Sequence, residues 1–259
     1  MNFSVLNNTP ISRVFAVNLP QINRGTISRP QNDRINVNGE LNRLLNTQVI
    51  TESIASNPVI TKILAEKNLK PIVNVENFKQ HVYNHSIDTR NKAIGIYNYL
   101  PVDLKAEANI KHIQQGAMLH DIGKVLIPEK ILNKNTRLTP EENEIMHLHS
   151  RLSEEILSTQ NIEPEVLNIV KYHHQNKQGT GYPAMKNASR GYDINTEIVS
   201  LADKYSALTE KRAYKPEMSQ EKALSILKTQ VEEGHVNPRV YNALVGYVNS
   251  LNTKTPAVA

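Results

Sequence analysis

The sequence predicts an all-α fold, and three observations support this prediction. Apolar residues recur at intervals of three and four residues, as in Leu41, Leu44 and Leu45, which is the spacing of a helix face. No segment alternates polar and apolar residues with the period of two that a half-buried strand requires. Proline or glycine stands at each junction between the periodic segments. We therefore expect helices joined by turns and no sheet.

The beginning of the chain divides into two parts. Residues 1–37 are rich in Asn, Pro, Arg and Ser and have no sustained period, which predicts a flexible N-terminal arm. Residues 38–70 predict a helical hairpin of unknown role, with its two helices separated at Asn57. Residues 71–252 are then expected to form the main domain.

Helix start signals recur along this main domain. Thr139 and Glu142 have the spacing of a capping box, and Pro140 between them suits the first helical position. Other starts are predicted at Asn74, Asp103, Pro164, Ser219 and Asn237. The segments that begin at Asn74 and Asp103 each predict one continuous helix, the first closed by Pro101 and the second running into Leu119.

Composition limits the kinds of site that the protein can contain. The 259 residues include nine His but no Cys and no Trp, and eight of the His lie between His81 and His174. Without Cys, disulfides, zinc ribbons, thiolate clusters and Cys nucleophiles are all excluded. Any metal site must therefore use imidazole and carboxylate ligands.

Charge and hydropathy indicate the compartment and the partners. The net charge is +5, and residues 1–50 contribute +3 of it, so the rest of the chain is nearly balanced. This balance argues against a nucleic-acid polymer as a partner. No apolar run is long enough to span a membrane, and the first twenty residues make a poor signal peptide. We therefore expect a soluble, cytoplasmic protein without a membrane partner.

The His and Asp residues are distributed over several helices in a way that suits a metal pair. His120 and Asp121 are neighbours where a helix ends, and adjacent side chains can serve one site if a carboxylate bridges two ions about 3.5–4 Å apart. Other candidate ligands are His85, His149, His173, His174 and Asp203. Five imidazoles and two carboxylates favour iron or manganese over a soft ion. His147 and His149 compete for one role, and the spacing after Leu138–Glu142 favours His149.

Two strings in the sequence resemble the motifs of a known protein family. The string HDIGK from His120 to Lys124 and the string HHQNKQGTGYP from His173 to Pro183 resemble the HD-GYP family of the HD metal-dependent phosphohydrolases. The resemblance extends from about residue 75 to about residue 250 and includes the segment LADKYSALTEKRAY from Leu201 to Tyr214. It implies an HD-type helical bundle preceded by the small N-terminal helical segment.

The resemblance also implies a role for each matching residue. Two divalent ions, iron or manganese, would be held by His85, His120, Asp121, His149, His173, His174 and Asp203. Asp121 would bridge the ions, a metal-bridging hydroxide would be the nucleophile, and Lys124 would neutralise the phosphate. Substrate binding would involve Lys124, Gly181, Tyr182, Pro183, Arg212 and Lys215. Gly179 and Gly181 would let the loop bend and its backbone approach the ligand.

Some positions depart from the family pattern. His81 stands where members with three metals have a Glu, four residues before His85, so it is the candidate ligand for a third ion, although two ions are expected. The other departures are Gln175, Gln178, Glu197 and Ser206, which stand where other residues are usual. Changes around metal ligands commonly weaken affinity or activity, so these residues place the rate and the specificity in question.

The sequence therefore predicts a phosphodiesterase that hydrolyses a cyclic dinucleotide, with cyclic di-GMP as the first choice and pGpG or GMP as products. One alternative is a catalytically weak receptor that binds cyclic di-GMP and signals through a partner. Another is an HD hydrolase that acts on cyclic GMP-AMP or a different nucleotide. The N-terminal region is the candidate surface for a homodimer or a protein partner. His112, His147 and His235 have no assigned role.

Overall fold

Helices are the regular elements of the part of the chain that the structure describes. This computed structural model describes residues 37–185, 192–210 and 217–253, all within a unit that extends from Ile35 to Ala259. No strand occurs in these ranges, so the all-α prediction is confirmed. The predicted arm, residues 1–37, lies outside the described residues except for its last residue.

Three helices, and not two, form the N-terminal segment. They are α1 (Val37–Leu44), α2 (Thr47–Ser56) and α3 (Pro58–Ala65). The additional break lies at Asn46, whose side chain accepts a hydrogen bond of 2.9 Å from the Gln48 amide and caps α2. The Asn57 side chain caps α3 in the same way, which confirms the predicted boundary there.

Both long helices predicted at the start of the main domain are interrupted. The first consists of α4 (Val75–His81) and α5 (Tyr83–Asn98), because the backbone at Val82 leaves the helical region with φ −122° and ψ −32°. The second consists of α6 (Val102–Glu107) and α7 (Ile110–Leu119), because Asn109 begins a new helix as its cap. His81 and His85, which the sequence placed on one continuous helix, therefore lie on two different helices.

The remaining elements follow in chain order, and the starts predicted at Thr139, Pro164, Ser219 and Asn237 are confirmed. They are a 3₁₀ turn (Ile122–Leu126), α8 (Glu129–Leu132), α9 (Pro140–Ser158), α10 (Pro164–Tyr172), α11 (Ile194–Thr209), α12 (Gln220–Glu232) and α13 (Pro238–Asn252). The capping box at the start of α9 is confirmed, since the Thr139 hydroxyl accepts from the Glu142 amide and the Glu142 carboxylate accepts from the Thr139 amide.

Two apolar clusters form the core, and α7 contributes to both. The first cluster joins Leu41 and Ile60 of the N-terminal helices to Leu119, at the end of α7. The second cluster joins Ala117 of α7 to residues of α5, α11, α12 and α13. The N-terminal helices thus share their core with the main domain, and the end of α7 is held from both sides.

Within the described ranges, no helix combines the length and the apolar character needed to cross a bilayer.

Candidate metal centre

Seven predicted ligands converge in the folded chain. They fall into three overlapping groups, and within each group one ligand atom from every residue lies within 4.8 Å of the others. The first group contains Asp121, His149, His173 and His174, the second His85, His120 and Asp121, and the third His120, His173 and Asp203. His174 is half-buried and the other six are buried. The order of the motifs along the chain therefore predicted a real cluster.

A glycine allows the 3₁₀ turn to approach α9. A Cβ atom on Gly123 would lie 2.2 Å from the carbonyl oxygen of His149, which is too close for any other residue. The Gly123 amide also donates a hydrogen bond of 2.7 Å to the Ser153 hydroxyl. This contact brings Asp121, at the start of the turn, next to His149. Neither Gly123 nor Ser153 is assigned a role from the sequence, although the glycine within HDIGK is a visible signal.

The Asp121 carboxylate lies between two groups of imidazoles. Its Oδ1 is 3.3 Å from Nε2 of His149. Its Oδ2 is 3.2 Å from Nε2 of His120 and 4.0 Å from Nε2 of His85. Each oxygen thus faces a different set of nitrogen ligands, which is the arrangement a bridging carboxylate requires.

Asp203 supplies the second carboxylate from α11. Its Oδ1 lies 2.8 Å from Nε2 of His85 and 3.8 Å from Nε2 of His120. Its Oδ2 lies 3.8 Å from Nδ1 of His174. Asp203 therefore also contacts ligands from both sides of the cluster, and both carboxylates can neutralise cations held between them.

Backbone contacts fix the tautomers of three imidazoles. Nδ1 of His120, His149 and His173 each donates to the carbonyl three residues earlier, at 2.7, 2.6 and 2.7 Å. The Nε2 atom of each neutral ring then carries a lone pair that points into the cluster. The Nε2 atoms of His149 and His173 are 3.4 Å apart, so two lone pairs face each other.

These facing lone pairs show that the cluster fits metal ions. Two neutral acceptors repel each other unless a cation or a donor lies between them. Nε2 of His120 and Oδ1 of Asp121 are likewise buried without a hydrogen-bond partner among the described residues. A divalent cation pair would satisfy all of these atoms at once.

The pKa values of His149 and His173 are those of neutral imidazole ligands, whereas that of His85 shifts the other way. Burial lowers the pKa of His149 to about 4 and that of His173 to about 3, so both rings are neutral ligands at pH 7. Burial alone would lower the pKa of His85, but hydrogen bonds from its ring to Asp203 and Glu210 raise it to about 9. Burial alone would raise the pKa of Asp121, but the electrostatic effect of the neighbouring His120 and Lys124 holds it well below its usual value.

Lys124 lies directly beside the Asp121 carboxylate. Its Nζ donates a hydrogen bond of 2.6 Å to Oδ2 of Asp121, and its side chain is 19% exposed. The ammonium group is therefore held at the cluster, and the Lys124 side chain remains partly accessible to solvent. Its proposed contact with a phosphate stays a prediction.

Gln175 organises the loop that contains the GYP motif. Its fully buried side chain accepts a hydrogen bond of 3.0 Å from the Gly181 amide and donates one of 2.6 Å to the Pro183 carbonyl. A Cβ atom on Gly181 would lie 2.2 Å from the carbonyl oxygen of His174, so this glycine packs the loop against the paired ligands. Gly179 has φ +72°, which confirms the predicted tight bend. A Glu at position 175 would lack the donor that Pro183 uses.

The Tyr182 ring lies between two imidazoles. Its centroid is 3.7 Å from that of His147, with planes inclined by 16°, and 4.6 Å from that of His174, inclined by 29°. Burial raises the pKa of the Tyr182 hydroxyl above its usual value, so the phenol stays protonated. His147 was given no role from the sequence, because its only signal was its position two residues before His149.

The other candidate residues lie elsewhere. His81 is exposed at the end of α4 and belongs to none of the ligand groups found among the described residues. His112 pairs with Glu163 at 2.8 Å and His235 pairs with Glu233 at 3.2 Å. Arg212 and Lys215, the predicted substrate contacts, lie outside the described residues.

Comparisons with known proteins agree with this site. The family model described as HD domain matches residues 74–240. A cyclic di-GMP phosphodiesterase of Vibrio cholerae is 34% identical over 149 residues, which are 55% of this chain and 30% of that protein. The 3'3'-cGAMP-specific phosphodiesterase 1 of the same species is 28% identical over 173 residues, 66% of this chain and 39% of that protein. The chain thus spans about a third of the length of these relatives.

A solved structure supports the fold. An HDG"Y"P protein from Bdellovibrio bacteriovorus aligns with a TM-score of 0.51 and 14% sequence identity, over 85% of this chain and 74% of that one. At this identity the likeness bears on the fold alone. The family match over residues 74–240 includes all seven converging residues, from His85 to Asp203. The chain therefore belongs to the HD domain family, in its HD-GYP branch.

Proposed function

We propose that the protein is a metal-dependent phosphodiesterase that hydrolyses a cyclic dinucleotide, with cyclic di-GMP as the preferred substrate and pGpG or GMP as the product. The observation that carries this proposal is the position of Asp121, whose two oxygens face His149 on one side and His120 on the other at 3.3 and 3.2 Å. A carboxylate whose two oxygens face two different sets of nitrogen ligands is suited to bridging a pair of metal ions.

The residues present would hold two divalent ions, iron or manganese. The donor set contains imidazole and carboxylate and no thiolate, which suits hard to borderline first-row metals. When bound, a metal pair supplies an activated water at neutral pH and withdraws negative charge from a phosphoryl group. His81 would complete a third site only if the exposed end of α4 moved, so two ions are proposed.

The chain itself supplies orientation and charge. Lys124, fixed on Asp121 at 2.6 Å, would attract a phosphodiester and neutralise one of its oxygens. The protonated Tyr182 hydroxyl would donate a hydrogen bond to the substrate at the mouth of the cluster. The Gln175 contacts keep the loop of Tyr182 in place, so less conformational freedom is lost when the substrate binds.

One experiment tests the proposal directly. The full chain would be loaded anaerobically with Fe²⁺ or Mn²⁺, its metal content measured, and its products from cyclic di-GMP resolved by chromatography. We expect about two ions per chain and linear products, with Asp121→Ala reducing both. The matched control is Asp103→Ala, because Asp103 is an exposed carboxylate paired with Arg239 away from the cluster. Bound metal without turnover in any redox state would contradict the proposal, and tight binding without hydrolysis would indicate the receptor alternative.

The second candidate substrate is 3'3'-cGAMP. One relative of this chain bears the name of a 3'3'-cGAMP-specific phosphodiesterase, so the two cyclic dinucleotides should be compared side by side. We expect a higher kcat/KM with cyclic di-GMP. A higher value with 3'3'-cGAMP would reverse the substrate preference and keep the reaction type.

A further inference from the structure

A stack of three rings leads from the metal ligands toward solvent. His174 lies against one face of Tyr182 and His147 lies against the other, at centroid distances of 4.6 and 3.7 Å. His174 belongs to the ligand cluster, whereas His147 is exposed. Both faces of the Tyr182 ring are therefore covered, and the stack ends in an accessible imidazole.

This arrangement changes the role expected for Tyr182. A nucleobase stacks on an aromatic ring by covering one of its faces. Tyr182 has no free face in this arrangement, so its edge and hydroxyl are the parts that can contact a substrate. The exposed surface of His147 must lie on the edge and on the face opposite Tyr182, because the 3.7 Å contact covers the other face.

We propose that the outer face of His147 is a stacking platform for one purine base of the cyclic dinucleotide, a role that rests on the proposed function. The platform stands two ring layers from His174, which belongs to the ligand cluster. A dinucleotide whose phosphate binds at the cluster carries its bases away from it through the ribose rings. One base can then cover His147 while the phosphate contacts Lys124.

The platform supplies affinity and does not select the base. Stacking on a ring is tolerant of base identity, because every base has a π-face. Guanine and adenine should therefore use His147 to a similar degree. Selection between cyclic di-GMP and 3'3'-cGAMP would then depend on other contacts.

The test compares His147→Ala with His147→Phe in the full, metal-loaded chain. Loss of one base stack corresponds to about 1.4 kcal/mol, so His147→Ala should raise KM about tenfold for both dinucleotides, more than it lowers kcat. His147→Phe keeps a flat ring and should restore KM to within about threefold of the original value. His112→Ala is the matched control, because His112 is paired with Glu163 outside the cluster.

A binding measurement separates this inference from the proposed function. A cyclic dinucleotide with 2-aminopurine in place of one purine should lose fluorescence on binding to the original chain and to His147→Phe, and less on binding to His147→Ala. Quenching without hydrolysis would support the platform and contradict the phosphodiesterase. An unchanged KM and unchanged quenching in His147→Ala, or a KM increase explained by lost metal, would overturn the platform.

Discussion

Oε2 of Glu210 lies 3.2 Å from Nδ1 of His85, the ring nitrogen that faces away from the ligand cluster. The other nitrogen of the ring, Nε2, is 2.8 Å from Oδ1 of Asp203. The hydroxyl of Ser206 is also 3.3 Å from Nδ1, and it donates a hydrogen bond to Asp88. Ser206 stands where a second Asp is usual in the family, and here Glu210, four residues later, brings a carboxylate to the same imidazole.

Replacing Glu210 with Gln should weaken metal binding at His85. A carboxylate behind a ligating imidazole fixes the ring and makes it a stronger donor, and loss of such a partner typically costs about 10- to 100-fold in metal affinity or activity. Competition with a chelator would measure the affinity for Mn²⁺. Glu66→Gln serves as the control, because Glu66 pairs with Arg151 and belongs to none of the ligand groups found among the described residues. Equal affinities of Glu210→Gln and the original chain would show that the contact does not position His85.

Replacing Gln175 with Glu should harm the protein, although Glu is the residue usual in the family at this position. The change removes the donor to the Pro183 carbonyl and buries a carboxylate, and a buried polar group left without its partner costs about 1–3 kcal/mol. We expect a lower free energy of unfolding in urea and a higher KM. Gln178→Glu makes the same chemical change at an exposed position and should have a smaller effect. If Gln175→Glu has the same free energy of unfolding as the original chain, the two hydrogen bonds of the Gln175 side chain do not stabilise the loop.

Replacing Glu197 with Gln should stabilise the protein at pH 7. Burial raises the pKa of Glu197, although the Asn237 amide donates a hydrogen bond of 2.6 Å to its carboxylate. When the pKa of a carboxyl group is higher in the folded state than in the unfolded state, the free energy of unfolding falls as the pH rises from the unfolded-state pKa, about 4.3 for Glu, to the folded-state pKa. Gln keeps the acceptor for Asn237 and removes the buried charge.

The stabilisation should therefore be present at pH 7 and disappear as the pH falls below about 4, where Glu197 is protonated in both states. Urea unfolding at several pH values would measure it. Glu221→Gln is the control with the opposite sign, because hydrogen bonds to the backbone and Ser219 lower the pKa of exposed Glu221. A Glu197→Gln variant that is less stable at pH 7 would show that the charge contributes favourably.

Adding metal should stabilise the fold, because the ligand lone pairs face one another when no cation lies between them. Free Mn²⁺ at about 100 times its Kd should add about 2.7 kcal/mol to the free energy of unfolding. Thermal unfolding with Mn²⁺ and with a chelator would measure this gain. Asp121→Asn should lose most of it, since Asp121 contacts both sides of the cluster. A melting temperature that does not respond to metal would contradict the assignment of these residues as ligands.

Much of the local structure followed from short stretches of sequence. The Thr139–Glu142 capping box and the starts at Pro164, Ser219 and Asn237 were confirmed, because a cap satisfies backbone groups within a few residues of itself. The break at Val82 was missed. No Pro or Gly marks it, and the apolar spacing continues across it.

The sequence by itself determined which chemistry is available. The absence of Cys excluded thiolate ligands, and the ordered His and Asp motifs identified seven side chains that the fold brings together. Tertiary structure decided what surrounds them: Glu210 behind His85, His147 on Tyr182, and Gln175 between Gly181 and Pro183. Glu210 and His85 are 125 residues apart, and His147 and Tyr182 are 35 apart. Contacts across such separations depend on how helices pack, and neither helical periodicity nor a capping pattern carries that information.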